Sequence, residues 1–135
     1  MKAKLLLTLL ALSAVTGCDF YPSPPRAHVV KTMANLKVLH EAVDLFHMDV
    51  GRYPTQQEGL SALITKPANA KEWCEGGYLE RAVLPKDGWN RDFHYVANPS
   101  ENVPFTIISF GEDGRKGGRG DNADLSSAEL NNDKK

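Results

Sequence analysis

The chain has 135 residues, with 16 Lys and Arg against 17 Asp and Glu, a formal net charge of −1 and four histidines. That length supports one domain built around one core. The slightly acidic balance argues against nucleic acid as a partner and against a basic membrane-binding face.

In chain order, Met1-Lys2-Ala3-Lys4 precedes an apolar run from Leu5 to Val15. The run holds about eleven residues, roughly half of what a membrane-spanning helix needs. It reads as a cleaved secretory signal. Val15-Thr16-Gly17-Cys18 resembles a bacterial lipobox, which implies cleavage after Gly17 and a lipidated Cys18. An acyl chain there holds a protein on a membrane surface without crossing it. Loss of residues 1–17 removes Lys2 and Lys4 and leaves Cys74 as an unpaired thiol. Residues 18–26, with Pro22, Pro24 and Pro25, read as an extended tether.

From Ala27 to Val50 the apolar residues recur every three or four positions: Val29/Val30, Met33, Leu36, Leu39, Val43, Phe46 and Val50. The spacing predicts a long helix with one buried stripe, stopped by Gly51 and Pro54. Thr55-Gln56-Gln57-Glu58 has the pattern of a capping box and predicts a short helix from Gln56 to Thr65. Residues 67–92 are turn-rich, with Trp73, Tyr78, Leu79 and Trp89 as packing anchors. Phe93–Val96 and Pro104–Phe110 read as two strands joined by a hairpin loop, Ala97–Val103. Residues 111–124 carry five glycines, and residues 129–135 read as a disordered tail.

Three stretches together resemble the major pseudopilin, or G protein, family of bacterial type II secretion. The first runs from Leu36 to Leu63 and contains Gly51-Arg52-Tyr53-Pro54-Thr55. The second is Leu84-Pro85-Lys86-Asp87-Gly88-Trp89-Asn90. The third is Phe105–Leu125 with Gly111-Glu112-Asp113-Gly114. The resemblance covers residues 30–126. It implies an α+β fold: a long N-terminal helix packed on a small antiparallel sheet, with an irregular middle segment and a calcium-type C-terminal loop. The domain so implied spans residues 27–128. The family's own leader continues into about twenty apolar residues with an embedded glutamate, where this chain has Cys18-Asp19 and the Pro-rich run.

Asp113, Asp121 and Asp124 supply hard oxygen donors of the kind calcium takes, and the glycines allow the backbone to turn its carbonyls inward. Taken alone, this composition also fits a solvated loop whose acids cap turns. The family resemblance implies calcium, with Asp113, Asp121 and Asp124 as side-chain ligands and Phe110, Glu112 and Ser126 as carbonyl ligands. Arg115, Lys116 and Arg119 stand beside them. His40-Glu41-Ala42-Val43-Asp44 starts like a zinc-protease helix, but Asp44 stands where the second histidine is required. No Ser/His/Asp set and no phosphate-binding loop is recognisable, so no catalysis is expected. The expected protein is a lipid-anchored accessory of a type II secretion or related pilus-like system, at the periplasmic face of the inner membrane, with the outer membrane as the alternative location. Its partners would be pseudopilins or other secretion subunits, with neither nucleic acid nor a small-molecule substrate. The alternative is an envelope adaptor that kept the head domain but left the secretion machine.

Overall fold

The computed structural model describes residues 26–100 and 102–134, with backbone only at Pro99 and 131–134. The expected signal, Cys18 and most of the tether lie outside the described residues. Helix α1 spans Ala27–Val50, the bounds that the apolar periodicity predicts. It ends because Gly51 adopts the left-handed conformation (φ +79°) and its N–H donates to the His47 carbonyl at 2.9 Å. A residue with a Cβ resists that conformation, and Pro54 then prevents resumption.

Strand β1, His94–Ser100, and strand β2, Val103–Ser109, form an antiparallel pair. Strand β3, Leu125–Ser126, adds to the other edge of β2, giving the order β1-β2-β3. Residues 94–97 pair in regular register with 105–108 before a shift between Ala97 and Ser100. The strands therefore extend into the region expected to be a hairpin loop. Asn98 (φ +47°) sits within that irregular stretch. β3 was not expected; two residues are too few to carry a period-two signal.

The core lies between α1 and the sheet. Leu36, Leu39, Val43 and Phe46 are fully buried and cluster with Leu63, Phe93, Tyr95, Phe105 and Ile107. Trp73, Tyr78 and Leu79 pack against this cluster from the irregular segment, as expected. Trp89 instead stacks on the His28 ring at the start of α1, 5.8 Å between centroids.

The capping box forms as expected. The Glu58 N–H donates to Thr55 Oγ1 at 3.2 Å, and the Thr55 N–H donates to Glu58 Oε2 at 2.9 Å. The helix it should start does not propagate: the segment is a 3-10 helix, Gly59–Leu63. Gly59 takes φ +52°, which interrupts an α-helix directly after its first turn. At the other end of the chain, the segment expected to be disordered continues a 3-10 helix, Ser127–Lys134. Ser127 explains why it starts there: its hydroxyl is buried and accepts the Ile107 N–H at 3.0 Å, while Leu130 packs on the core. Among the described residues, no helix is long and apolar enough to cross a membrane.

Candidate functional site

Three local arrangements meet near the C-terminal end of β2: the turn at Asp87, the glycine-rich loop, and the start of α1. Asp87 is fully buried, an expensive position for a carboxylate unless every oxygen is hydrogen-bonded. Its Oδ1 accepts the N–H groups of Trp89 (3.0 Å) and Arg91 (2.8 Å), and its Oδ2 accepts the Ser109 hydroxyl at 2.6 Å. Ser109 Oγ in turn accepts the Gly111 N–H at 3.3 Å. One carboxylate thus joins the irregular segment to β2 and to the first residue of the loop. The adjacent Gly88 donates its N–H to Thr32 Oγ1 at 2.8 Å, and its carbonyl lies 2.9 Å from His28 Nδ1. A Cβ at position 88 would run into the backbone of His28, so only glycine allows this approach.

The loop itself leaves β2 through Gly111, which takes φ +62° and where a Cβ would lie 2.6 Å from the Asp121 carbonyl. The Glu112 N–H donates to that same carbonyl at 2.8 Å, which closes the loop on itself. Arg91 holds it from outside: its Nε and NH2 groups donate to the Glu112 carbonyl at 3.1 and 2.6 Å. The loop returns through Gly120–Asn122, a single 3-10 turn, and ends in β3.

Within this frame the three aspartates have separate partners. Asp113 is exposed and its Oδ1 accepts the Arg115 N–H at 3.0 Å, a local turn. Asp121 is ion-paired with Arg26, at the threshold of α1. Asp124 accepts the Gly117 N–H through both carboxylate oxygens, at 2.9 and 3.0 Å. Of the expected carbonyl ligands, Glu112 is taken by Arg91, while the Phe110 ring packs on His94 with 4.4 Å between centroids. Ser126 lies in β3, where its hydroxyl accepts the Ala128 N–H at 3.2 Å. The six residues share one loop and its flanks, but no group of three acidic, His or Cys side chains that could hold a metal is assembled among the described residues.

The other end of the sheet is held by Arg52. Its guanidinium binds Glu58 through two bonds, at 2.7 and 2.8 Å, which holds the Glu58 carboxyl down at about 2, helped by the Thr55 amide and hydroxyl and opposed by partial burial. Tyr53 stacks between His47 (4.1 Å) and Phe105 (5.3 Å). The Tyr95 hydroxyl donates to the Pro54 carbonyl at 2.8 Å in the interior, and burial pushes that phenol up to about 12. Arg52 and Tyr53 therefore fix the end of α1 against the sheet. His40 and Asp44 lie 3.7 Å apart on α1, with nothing of a protease site about them.

Asp87 was not singled out from sequence as a functional position. Its signal was present: Asp-Gly-x-Asn is a turn in which an aspartate caps the amides that follow. Nothing in the sequence shows that the turn is buried.

Comparison with known proteins decides the family. The model of type II secretion system protein G matches residues 20–128. The chain belongs to that family. It is 37% identical over 102 residues to the type II secretion system core protein G of Vibrio cholerae, covering 74% of this chain and 68% of that protein. It is 34% identical over 117 residues to the corresponding core protein of Pseudomonas aeruginosa, covering 84% and 80%. The fold superimposes on the crystal structure of the major pseudopilin from the type 2 secretion system of enterohaemorrhagic Escherichia coli, with a TM-score of 0.61 and 32% identity. That match covers 74% of this chain and 85% of the other. The Asp87 turn, the Arg52–Glu58 cap and the acidic loop thus belong to a pseudopilin-type domain: α1 on a small antiparallel sheet, as the resemblance implied.

Proposed function

We propose that the protein is a non-enzymatic component of a type II secretion system that works at the periplasmic face of the inner membrane through protein contacts. The observation that carries this is the family match, which takes in residues 20–128 and so includes every described element before the C-terminal end. The lipid anchor is the finer part of the proposal. It is supported by Val15-Thr16-Gly17-Cys18 and the Pro-rich run that follows. An acyl anchor tethers the head without supplying helix-to-helix packing, so the role proposed is that of an accessory, contacting pseudopilins or other subunits. The adaptor alternative gains no observation of its own. Two experiments test the proposal. Radiolabelled palmitate should enter the wild-type chain and be lost in Cys18→Ser. Photo-crosslinking in cells from surface positions of the head should recover secretion-system subunits; recovery of only unrelated envelope proteins would defeat the secretion role.

For the acidic loop we propose a structural calcium ion, held by Asp113, Asp121 and Asp124 with carbonyls of Phe110, Glu112 and Ser126. Support comes from the concentration of hard oxygen donors among glycines in one loop. As the loop stands, the set does not fit an ion directly. Loading requires Asp121 to leave Arg26, Asp124 to leave the Gly117 N–H, and the Glu112 carbonyl to leave Arg91. All of these partners are exposed, so the exchange breaks no core contact.

A further inference from the structure

Strand β1 is an outer strand of the sheet, and among the described residues no strand pairs with its free edge. In an antiparallel ladder the N–H and C=O of one residue point to the same side, and successive residues alternate. Tyr95 and Ala97 turn theirs away from β2 and toward the side chain of Gln56. The Gln56 Nε2 donates to the Tyr95 carbonyl at 2.9 Å, and the Ala97 N–H donates to Gln56 Oε1 at 2.9 Å. A primary amide bonded in this way does what a peptide group of a neighbouring strand does. It holds the place of a strand without supplying a backbone.

The space along the edge continues on both sides of Gln56. A cavity of about 280 Å³ lies beside residues 93–95, walled in part by Leu60, Leu84 and Phe93. A second, of about 540 Å³, lies beside Ala97 and Asn98, walled in part by Tyr53, Pro54 and Pro104. Gln56 lines both. Beyond Ala97 the pairing register shifts, Asn98 takes φ +47°, and Pro99 has no N–H to offer. The usable edge is therefore short and ends at Ala97.

We propose that this edge is a docking site for an extended segment of another protein, which displaces the Gln56 amide and adds to β1 as a strand. The edge itself selects that occupant, because alternating N–H and C=O groups are answered by an extended backbone. The two cavities take side chains of the segment, with an apolar one against Leu60, Leu84 and Phe93. Displacement costs little. Gln56 is exposed, so its amide passes to water while Tyr95 and Ala97 exchange one amide for another. The Thr55–Glu58 cap and the Arg52–Glu58 pair hold the backbone on both sides of Gln56, so its side chain swings out without unfolding the segment. The site gives the secretion role a mode of contact and rests on that reading only for the source of the segment.

The test uses the purified full chain in detergent, with backbone amides followed by NMR. The probe is a heptapeptide of alternating threonine and valine with a lysine at each end. The expected result is saturable binding that moves the Tyr95 and Ala97 amide signals and leaves those of β3 in place. Gln56→Ala removes the competing amide and should tighten binding about fivefold. Methylating alternate peptide nitrogens leaves one clean edge and should keep binding, whereas methylating every nitrogen should abolish it. Binding of the fully methylated peptide, or unchanged affinity in Gln56→Ala, would overturn the proposal. So would binding by Gln56→Ala alone, which would make Gln56 a lock on a closed edge, or binding by neither protein. The crosslinking in cells decides the secretion role separately, so the two failures are distinct.

Discussion

The protein uses aspartate in two opposite ways. Asp87 is sealed from water and satisfied by two backbone amides and a serine hydroxyl. Asp113, Asp121 and Asp124 lie in an open loop and are satisfied by single, exposed partners. Both arrangements obey the rule that carboxylates need donors. They differ in what it costs to change a donor. Releasing Asp87 leaves a buried charge stranded, so that turn has one state. Releasing the loop acids costs little, because water or a cation takes the donor's place. A fixed hub beside an exchangeable loop would let the loop take up the proposed ion while the helix and sheet stay in register.

Substitutions break this comparison in a graded order. Gly88→Ala is expected to have the largest effect, more than about 3 kcal/mol, because the new methyl meets backbone rather than a side chain that can move. The denaturant midpoint reads it. Asp87→Ala follows at about 3 kcal/mol, since it leaves the part-buried N–H groups of Trp89 and Arg91 and the buried Ser109 hydroxyl without an acceptor. If Asp87→Ala proved no worse than Asp121→Ala, the contrast between hub and loop would be lost. Calcium comes next: at a hundredfold excess over its dissociation constant it should add about 2.7 kcal/mol, read as a rise in melting temperature that a chelator reverses. Asp121→Ala without calcium should cost under about 1 kcal/mol, the scale of an exposed ion pair.

The Arg52–Glu58 cap adds a pH signature at the opposite end of the sheet. The folded carboxyl sits at about 2, below the ordinary 4.5. Stability from this pair is therefore fully present above the unfolded value of 4.5 and is lost as pH falls from there toward 2. Glu58→Gln should be less stable than wild type at pH 7, with the difference shrinking across that window. A constant difference would assign the effect to packing rather than charge.

The elements with strong periodicity were legible in the sequence. The α1 pattern predicts both of its ends, because the proline run stops just before Ala27 and Gly51 and Pro54 are local stop signals, and the two long strands follow from alternation. The capping box at Thr55–Glu58 was also readable, but not the single left-handed glycine that halts the helix after one turn. β3 has only two residues and exists because β2 offers an edge. The acids of the loop were all visible as letters. Two of the partners that hold the loop were not: Arg26 is 95 residues from Asp121, and Arg91 is 21 residues from Glu112. Such pairings depend on tertiary contacts that local sequence does not encode. For the same reason, nothing in the letters around Asp87 distinguishes a buried turn from an exposed one.

Hydrogen exchange of the backbone amides, measured on the chain in calcium and in chelator, tests the contrast most directly. The expected result is slow exchange at Trp89 and Arg91 in both conditions, with exchange across residues 111–124 slowed only by calcium. Equal exchange in the loop with and without calcium, or fast exchange at Trp89 and Arg91, would contradict it.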